Sequence, residues 1–333
     1  MNIACVMMQK NESILLEAWI RYHAEMVGKE NLFIFDNGST ISSVIQVLKE
    51  AESSGVRIFW EYSTVRNFLE KGALIADLIQ RLDREEDFDF YFPLDCDEFL
   101  ACQTESGPSC CRKDIEEALR PYKGSADVLV IQHKYWNHPY RQNFYSIPTS
   151  SRKCFFANGA CDYLDLGYHK GRSRLGAGQA KTAIIYFEFH YLPYRFHRQY
   201  CRQKLSGRLT DFSRRSLRAY EAKQMGGFHN AGHLLEGKYD YVRSFLRSEY
   251  QLEIPTILCS FDRLGIDHGS LCEPEPPIPR LLWLFLLRSR QTFMHRIDDI
   301  IDALHRAPGE LKRLMVRSFK SLIRLLRRLW QPG

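Results

Sequence analysis

IACVMMQKNESILLEAWIRYHAEMVGKENLFIFDNGS, residues 3–39, changes its hydrophobic period twice. Residues 3–8 form a short unbroken apolar run, suited to a strand covered on both faces. Residues 12–28 place Leu15, Leu16, Trp19, Ile20 and His23 at helical spacing, and Gly28 suits the helix end. Residues 31–39 are a second apolar run, stopped by the turn residues Asp36, Asn37, Gly38 and Ser39. The alternation continues with a helix over 43–55, a strand over 56–62, a helix over 65–82 and a strand over 88–95. It predicts an α/β, Rossmann-like fold with a mixed, mainly parallel sheet covered by helices. Ligands gather outside the carboxyl ends of such strands. Those ends are Gln9–Glu12, Asp36–Ser39 and Asp95–Glu98.

After residue 100 the pattern loosens. Residues 128–136 and 181–191 read as strands, and 162–180, rich in glycine and polar groups, as a long loop. EPEPPIP, residues 273–279, is a proline-rich linker. The expected organisation is a domain over 1–272, a linker over 273–279 and a basic amphipathic helical tail over 280–333. Within the domain, about 1–100 forms one half and about 101–272 the other.

Hydrophobic residues at 45% and aromatic ones at 13% exclude wholesale disorder. The ten cysteines are scattered without a CxxC pair or a Cys/His metal spacing, which favours reduced thiols. An apolar strand beginning at residue 3 leaves no room for a secretory leader, so the expected location is cytoplasmic. The net charge of +6 is unevenly held: residues 280–333 carry twelve Lys or Arg against four Asp or Glu. Residues 309–330 put Leu311, Met315, Phe319 and Trp330 on one helical face and basic residues around the other. Such a helix suits the inner face of a cell membrane, as a peripheral contact with an anionic surface, or packing on the body or another subunit. The apolar run 281–287 is too short to span a bilayer. Nucleic acid is not an expected partner, because the body is slightly acidic and carries no recognition module.

The run DFDFYFPLDCDEFLA, residues 87–101, drives an aromatic strand into three carboxylates, Asp95, Asp97 and Glu98. Asp95 and Asp97 lie two apart and would share one side of a continuing strand. Crowded carboxylates are relieved by solvation or by a hard divalent cation, whose remaining ligands are commonly water and phosphate oxygens. The choice is between a metal-diphosphate site and a solvated acidic turn.

In order, the chain shows Lys10-Asn11-Glu12, then Glu17, Trp19 and His23, then Asp36-Asn37-Gly38-Ser39, then Asp95-Cys96-Asp97-Glu98-Phe99. Residues 190–204, HYLPYRFHRQYCRQK, and 167–178, GYHKGRSRLGAG, follow. Over roughly residues 3–205 this series resembles the bacterial glycosyltransferase family 2-like proteins of the GT-A fold. Glu17 is one residue off the family spacing, Arg172 stands in a lysine's place, and Ile41 and Ser42 stand where relatives often carry a further Asp.

The resemblance implies an enzyme of the hexosyltransferase type, with a nucleotide-binding half over about 1–100 and an acceptor half over about 101–272. It would move a sugar from a nucleotide-diphosphate donor, foremost a UDP-sugar, to a surface-glycan or lipid-linked acceptor, with inversion. It implies manganese or magnesium held by Asp95, Asp97 and His190, with Asp95 on the ribose as the other role. It implies donor contacts from Asn11, Glu12 and Asp36, and phosphate contacts from His169, Arg172, Ser173, Arg195 and Lys204. An ordinary turn at Asp36, a helix-start acid at Glu12 and a solvated basic face at Arg195 and Lys204 are the plainer readings. The acceptor's proton would go to Asp165, Asp162 or Glu188. The aromatics of 134–145 suit either stacking on a sugar ring or a partly buried cluster. Rival functions are a sugar-phosphate nucleotidyltransferase and a non-catalytic membrane-surface binding protein. Against the first, residues 8–13 carry one lysine and no glycine where a phosphate loop belongs.

Overall fold

The computed structural model describes residues 1–148, 152–206, 208–224, 228–246, 252–273 and 283–293. The first hundred residues contain β1 (Ile3–Gln9), α1 (Leu16–Val27), β2 (Leu32–Asp36), α2 (Ser42–Ser54), β3 (Arg57–Phe59), α3 (Val65–Leu69), α4 (Lys71–Glu85) and β4 (Phe90–Pro93). Next come β5 (Glu98–Thr104), β6 (Gly107–Ser109), α5 (Arg112–Leu119), β7 (Val128–Val130), β8 (His133–Asn137), β9 (Phe144–Ser146) and β10 (Cys154–Ala157). They are followed by β11 (Cys161–Leu164), β12 (Gly171–Ser173), β13 (Gln179–Lys181) and β14 (Ile184–Glu188). The remaining elements are α6 (Tyr194–Leu205), α7 (Arg214–Ala222), α8 (Phe228–Leu235), α9 (Lys238–Leu246), β15 (Leu252–Glu253) and α10 (Thr256–Arg263).

The described residues fall into two compact units, one running to Pro193 and taking in 252–273, the other holding 194–246 and 283–293. In the first, a seven-stranded sheet has the order β13-β7-β10-β4-β1-β2-β3. Only β10 runs antiparallel to its neighbours, so the sheet is mixed and mainly parallel, as the alternating periods predict. All seven residues of β1 are buried, which is why the strand reads as a continuous apolar run rather than an alternation. Ala4, Val6 and Met8 share a core cluster with Ile75, Ile79 and Leu82 of α4 and with Phe33 and Phe35 of β2. A six-stranded sheet, β15-β9-β8-β14-β5-β6, and the hairpin β11-β12 complete the unit.

Helix α1 ends where Gly28 adopts φ 95°, a conformation that an L side chain rarely takes, and its N–H reaches Ala24 O at 2.9 Å. The helix is tied to β5 by His23, whose ring is fully buried. His23 Nδ1 lies 2.9 Å from Trp19 O, and Leu100 N donates to Nε2 at 3.3 Å. Burial pushes this imidazole down to about 3, so it serves as a neutral structural link.

Four stretches differ from the sequence expectation. The run 128–136 is two strands: β7 joins the seven-stranded sheet and β8 the six-stranded one. The run 181–191 breaks likewise between β13 and β14, where Thr182 Oγ1 donates to Val130 O at 3.1 Å and accepts from Ile184 N at 3.2 Å. Apolar periodicity marks a buried strand but carries no sign of which sheet it enters. The helix over 65–82 divides at Glu70 into α3 and α4; Thr64 and Asn67 form a capping box that starts the first, short helix. The loop over 162–180 contains the β11–β12 hairpin and β13, with Cys161, Leu164 and Ser173 turned inward.

The second unit is helical, packed around Cys201, Leu205, Leu217, Tyr220, Ala231 and Leu234. Most of the proline-rich linker and the amphipathic stretch 309–330 lie outside the described residues. Residues 283–293 are helical, and among the described residues no helix is long and apolar enough to cross a membrane.

Candidate active site

Strands β1, β2 and β4 are parallel neighbours, with Gln9 opposite Asp36 and Val6 opposite Pro93. Their carboxyl ends therefore open on one edge, and the chain beyond each supplies polar residues to it. After β4 the chain does not continue as a strand. Residues 96 and 97 turn, Glu98 N donates to Asp95 O at 3.1 Å, and β5 starts at Glu98. The two aspartates thus do not share one face of a strand, contrary to the spacing argument, because the turn gives each its own partners.

Asp95 faces two lysines. Lys71 Nζ, at the start of α4, is 2.9 Å from Oδ1, and Lys153 Nζ, just before β10, is 2.5 Å from Oδ2. Lys153 also reaches Glu98 Oε2 at 2.7 Å, and the same oxygen accepts Asp95 N at 2.7 Å. Burial alone would raise the Asp95 carboxyl, but Lys153 and Lys71 outweigh it and hold Asp95 well below the usual carboxylate range. Both ammonium groups also lie over the Tyr168 ring, at 4.4 Å for Lys71 and 4.7 Å for Lys153. Gly72 lets α4 come this close to the hairpin, since a Cβ there would collide with the carbonyl oxygens of Leu164 and Asp165.

Asp97 turns toward Glu188 and His190, and one ligand atom from each of the three lies within 4.8 Å of the others. Glu188 ends β14, opposite Glu98 of β5, and Phe189 N donates to Asp97 O at 2.8 Å, so the pairing of β14 with β5 assembles the group. Glu188 is held firmly: Trp136 Nε1 donates to its Oε2 at 2.7 Å, Lys134 Nζ is 3.5 Å from the same oxygen, and His190 Nδ1 is 3.2 Å from Oε1. The His190 ring stacks on Trp136 at 5.1 Å. Burial pushes Glu188 up, but the His190 bond, with help from Lys134 and Trp136, brings it below its ordinary value. His190 is raised instead, because its bond to Glu188 and the charges of Glu188 and Asp97 outweigh its burial.

Asp97 has less relief, drawn from His190. Burial, with the charges of Glu188, Asp95 and Glu12 beside it, pushes its carboxyl up to about 7. Two carboxylates and an imidazole are the donor set of a hard to borderline divalent ion, and this negative group fits manganese or magnesium. The metal-free protein should show the strain. Between about 4 and 7 the folded Asp97 keeps a proton that the unfolded chain has released, so stability falls as pH climbs through that window. His190, raised in the folded state, acts in the same direction. Chelator-treated protein should melt several degrees higher at about pH 5.5 than at about pH 8, and Asp97→Asn should reduce the gap. Equal melting temperatures at the two pH values would contradict this account of Asp97.

The other expected residues are placed as follows. Asn11, at φ 58°, joins the first two strand ends: its Oδ1 accepts Thr40 N at 2.7 Å and Ile41 N at 3.0 Å. Asp36 is buried, its carboxylate accepting Gln9 Nε2 at 2.5 Å, Ser39 Oγ at 2.6 Å and Ser39 N at 2.8 Å. Glu12 gives its backbone N–H to Gln9 Oε1 at 3.1 Å. Asp162 and Arg172 form an ion pair across the β11–β12 hairpin. Asp165 Oδ1 accepts Lys170 N at 3.0 Å within the hairpin loop, and His169 Nδ1 lies 3.4 Å from Arg152 O. Ser173 is buried and donates to Ala126 O at 2.6 Å. Arg195 and Lys204 lie on α6, in the second unit. In 134–145, Tyr135, Tyr140 and Tyr145 are buried, so that stretch is chiefly a packed cluster; Trp136 is the ring that reaches the site.

Sequence reasoning missed Lys71 and Lys153; Trp136 lay within the aromatic stretch 134–145 that it singled out, for stacking rather than for holding Glu188. A lysine ahead of the apolar strand CFFA is the one local oddity that marks Lys153, and nothing local marks Lys71.

No protein-family model matches the chain, and no curated protein matches it. Among solved structures it is similar to S. aureus TarS, with 14% identity, TM-score 0.33 and coverage of 63% of this chain and 40% of that one. A second structure, S. aureus TarS 1-349 in complex with UDP, gives 11% identity, TM-score 0.33 and coverage of 63% and 67%. Glucosyl-3-phosphoglycerate synthase from Mycobacterium tuberculosis, in complex with Mn2+, uridine-diphosphate and glucosyl-3-phosphoglycerate, gives 19%, 0.24 and coverage of 43% and 45%. The chain thus spans less than half of the full TarS structure. Likenesses this distant assign no activity.

Proposed function

We propose that the protein is a metal-dependent glycosyltransferase that transfers a sugar from a nucleotide-diphosphate donor. The observation that carries this reading is the convergence of Asp97, Glu188 and His190 within 4.8 Å, beside an edge that also receives the ends of β1 and β2. Asp97, Glu188 and His190 would hold manganese or magnesium. When bound, the ion supplies positive charge to the donor's diphosphate and to the charge that grows on it as the sugar leaves.

This chain's own residues do the rest. Trp136, Lys134 and His190 fix Glu188, and the Asp95–Glu98 turn fixes the direction of Asp97. Asp36 and Asn11 shape the neighbouring strand ends, where a nucleoside would lie. The stretch after β1 has no glycine-rich basic loop, which favours transfer of a sugar over coupling of a sugar phosphate to a nucleotide. A UDP-sugar donor, a glycan or lipid-linked acceptor and inversion extend the reading by the motif series. A cytoplasmic location and peripheral membrane contact through 280–333 extend it by charge pattern.

Melting the protein with UDP, GDP or dTDP, with and without manganese, tests the proposal. One nucleotide should raise the melting temperature only when metal is present. A ligand at about 100 times its dissociation constant adds about 2.7 kcal/mol to the native state. If none of the three shifts the melt with manganese present, the donor reading is wrong.

A further inference from the structure

Lys153 is the most deeply buried cation beside the site, at 2% relative exposure, and the roles proposed above leave it unused. A lysine pays several kcal/mol to leave water, so its place requires strong compensation. It has that from two directions: Asp95 Oδ2 at 2.5 Å and Glu98 Oε2 at 2.7 Å. Those carboxylates flank Asp97 in the chain, one on each side. Glu98 Oε2 simultaneously accepts Asp95 N at 2.7 Å, which closes the turn on itself. The lysine therefore pins the residues before and after Asp97 to β10, while Asp97 is directed to the opposite partners, Glu188 and His190.

We infer that Lys153 is a positioning residue for the metal group: by bridging Asp95 and Glu98 it sets the turn that holds Asp97 against Glu188 and His190. This rests on the proposed metal role of those three residues, and Lys153 itself touches neither ion nor donor. Two features make the bridge specific. Glu98 is buried, at 2% relative exposure; burial and the neighbouring carboxylates Asp95, Glu188 and Asp97 push its carboxyl up, and among the described residues Lys153 is the cation in contact with it. Lys71 cannot substitute, because it approaches Asp95 from the other oxygen.

The test is manganese affinity of the full chain, followed by the loss of the free-ion electron paramagnetic resonance signal, with thermal melting as a separate check of folding. Lys153→Met should remain folded at 20 °C yet bind manganese at least about 10-fold more weakly, the loss typical of an outer partner of a metal site. Lys153→Met combined with Glu98→Gln removes the cation together with the buried carboxyl it holds, and the glutamine carbonyl can still accept Asp95 N. The double variant should recover most of the affinity, a coupling that a purely packing role would not produce. If Lys153→Met is unfolded, the double variant alone decides: affinity near wild type supports the bridge, and a 10-fold loss overturns it. Wild-type protein that binds no manganese would defeat the metal reading and this inference with it. Wild-type protein that binds manganese beside an equally tight Lys153→Met would defeat this inference alone.

Discussion

Asp97→Asn should remove sugar transfer by about 10³-fold while leaving the protein folded, and at neutral pH slightly more stable, in the absence of metal. The argument begins with charge. Asp97 is half-buried beside Glu188, Asp95 and Glu12, so its ionised form is costly in the metal-free fold. Asparagine keeps the shape and the turn, removes the repulsion and loses the charged oxygen that a divalent ion requires. Manganese affinity should fall by more than the 10–100-fold that outer partners of metal sites control. The two changes therefore have opposite signs, and a melt beside a binding curve reads both. A variant that keeps transfer within about 10-fold of wild type would remove Asp97 from the reaction.

Phe99→Ala should cost about 3–5 kcal/mol and lower the melting temperature of the first unit by about 10 °C. Phe99 is completely buried immediately behind the Asp95–Glu98 turn. Its ring lies 5.0 Å from Phe261, 5.4 Å from Tyr22 and Phe189, and 5.8 Å from His23, on which it stacks. The side chain thus joins β5 to α1, to α10 and to the segment after β14 that carries His190. Truncation would leave a cavity bounded by rings from three parts of the chain that cannot all collapse into it. Phe99→Leu, which retains most of the volume, should cost much less. A melting temperature within about 2 °C of wild type for the alanine variant would show that this cluster does not hold the unit together.

The strand ends were legible because a parallel sheet writes its own edge into the sequence. Each buried strand is an apolar run, and the first polar residue after it marks the edge where ligands bind. Gln9, Asp36 and Asp95 could be located by that rule alone. Glu188 shows its limit. Placed at the end of an apolar run, it reads equally as a base, a ligand or a buried structural acid. Its neighbours Trp136, Asp97 and Glu98 come from β8 and from the turn into β5, all distant in the chain.

The first hundred residues by themselves determined the alternation of strands and helices, apart from the break between α3 and α4, and the edge at which Asp97 would emerge, since hydrophobic period and turn residues are local properties. Only the tertiary structure decided the partners of the two aspartates. Asp95 and Asp97 have the same chemistry and stand two residues apart, yet one meets the ammonium groups of Lys71 and Lys153 and the other meets Glu188 and His190. That division follows from a turn at residues 96 and 97 and from the pairing of β10 with β4 and of β14 with β5. Those pairings bring together charges from distant parts of the chain, and the energy of a charge depends on what surrounds it in space, which no local spacing records.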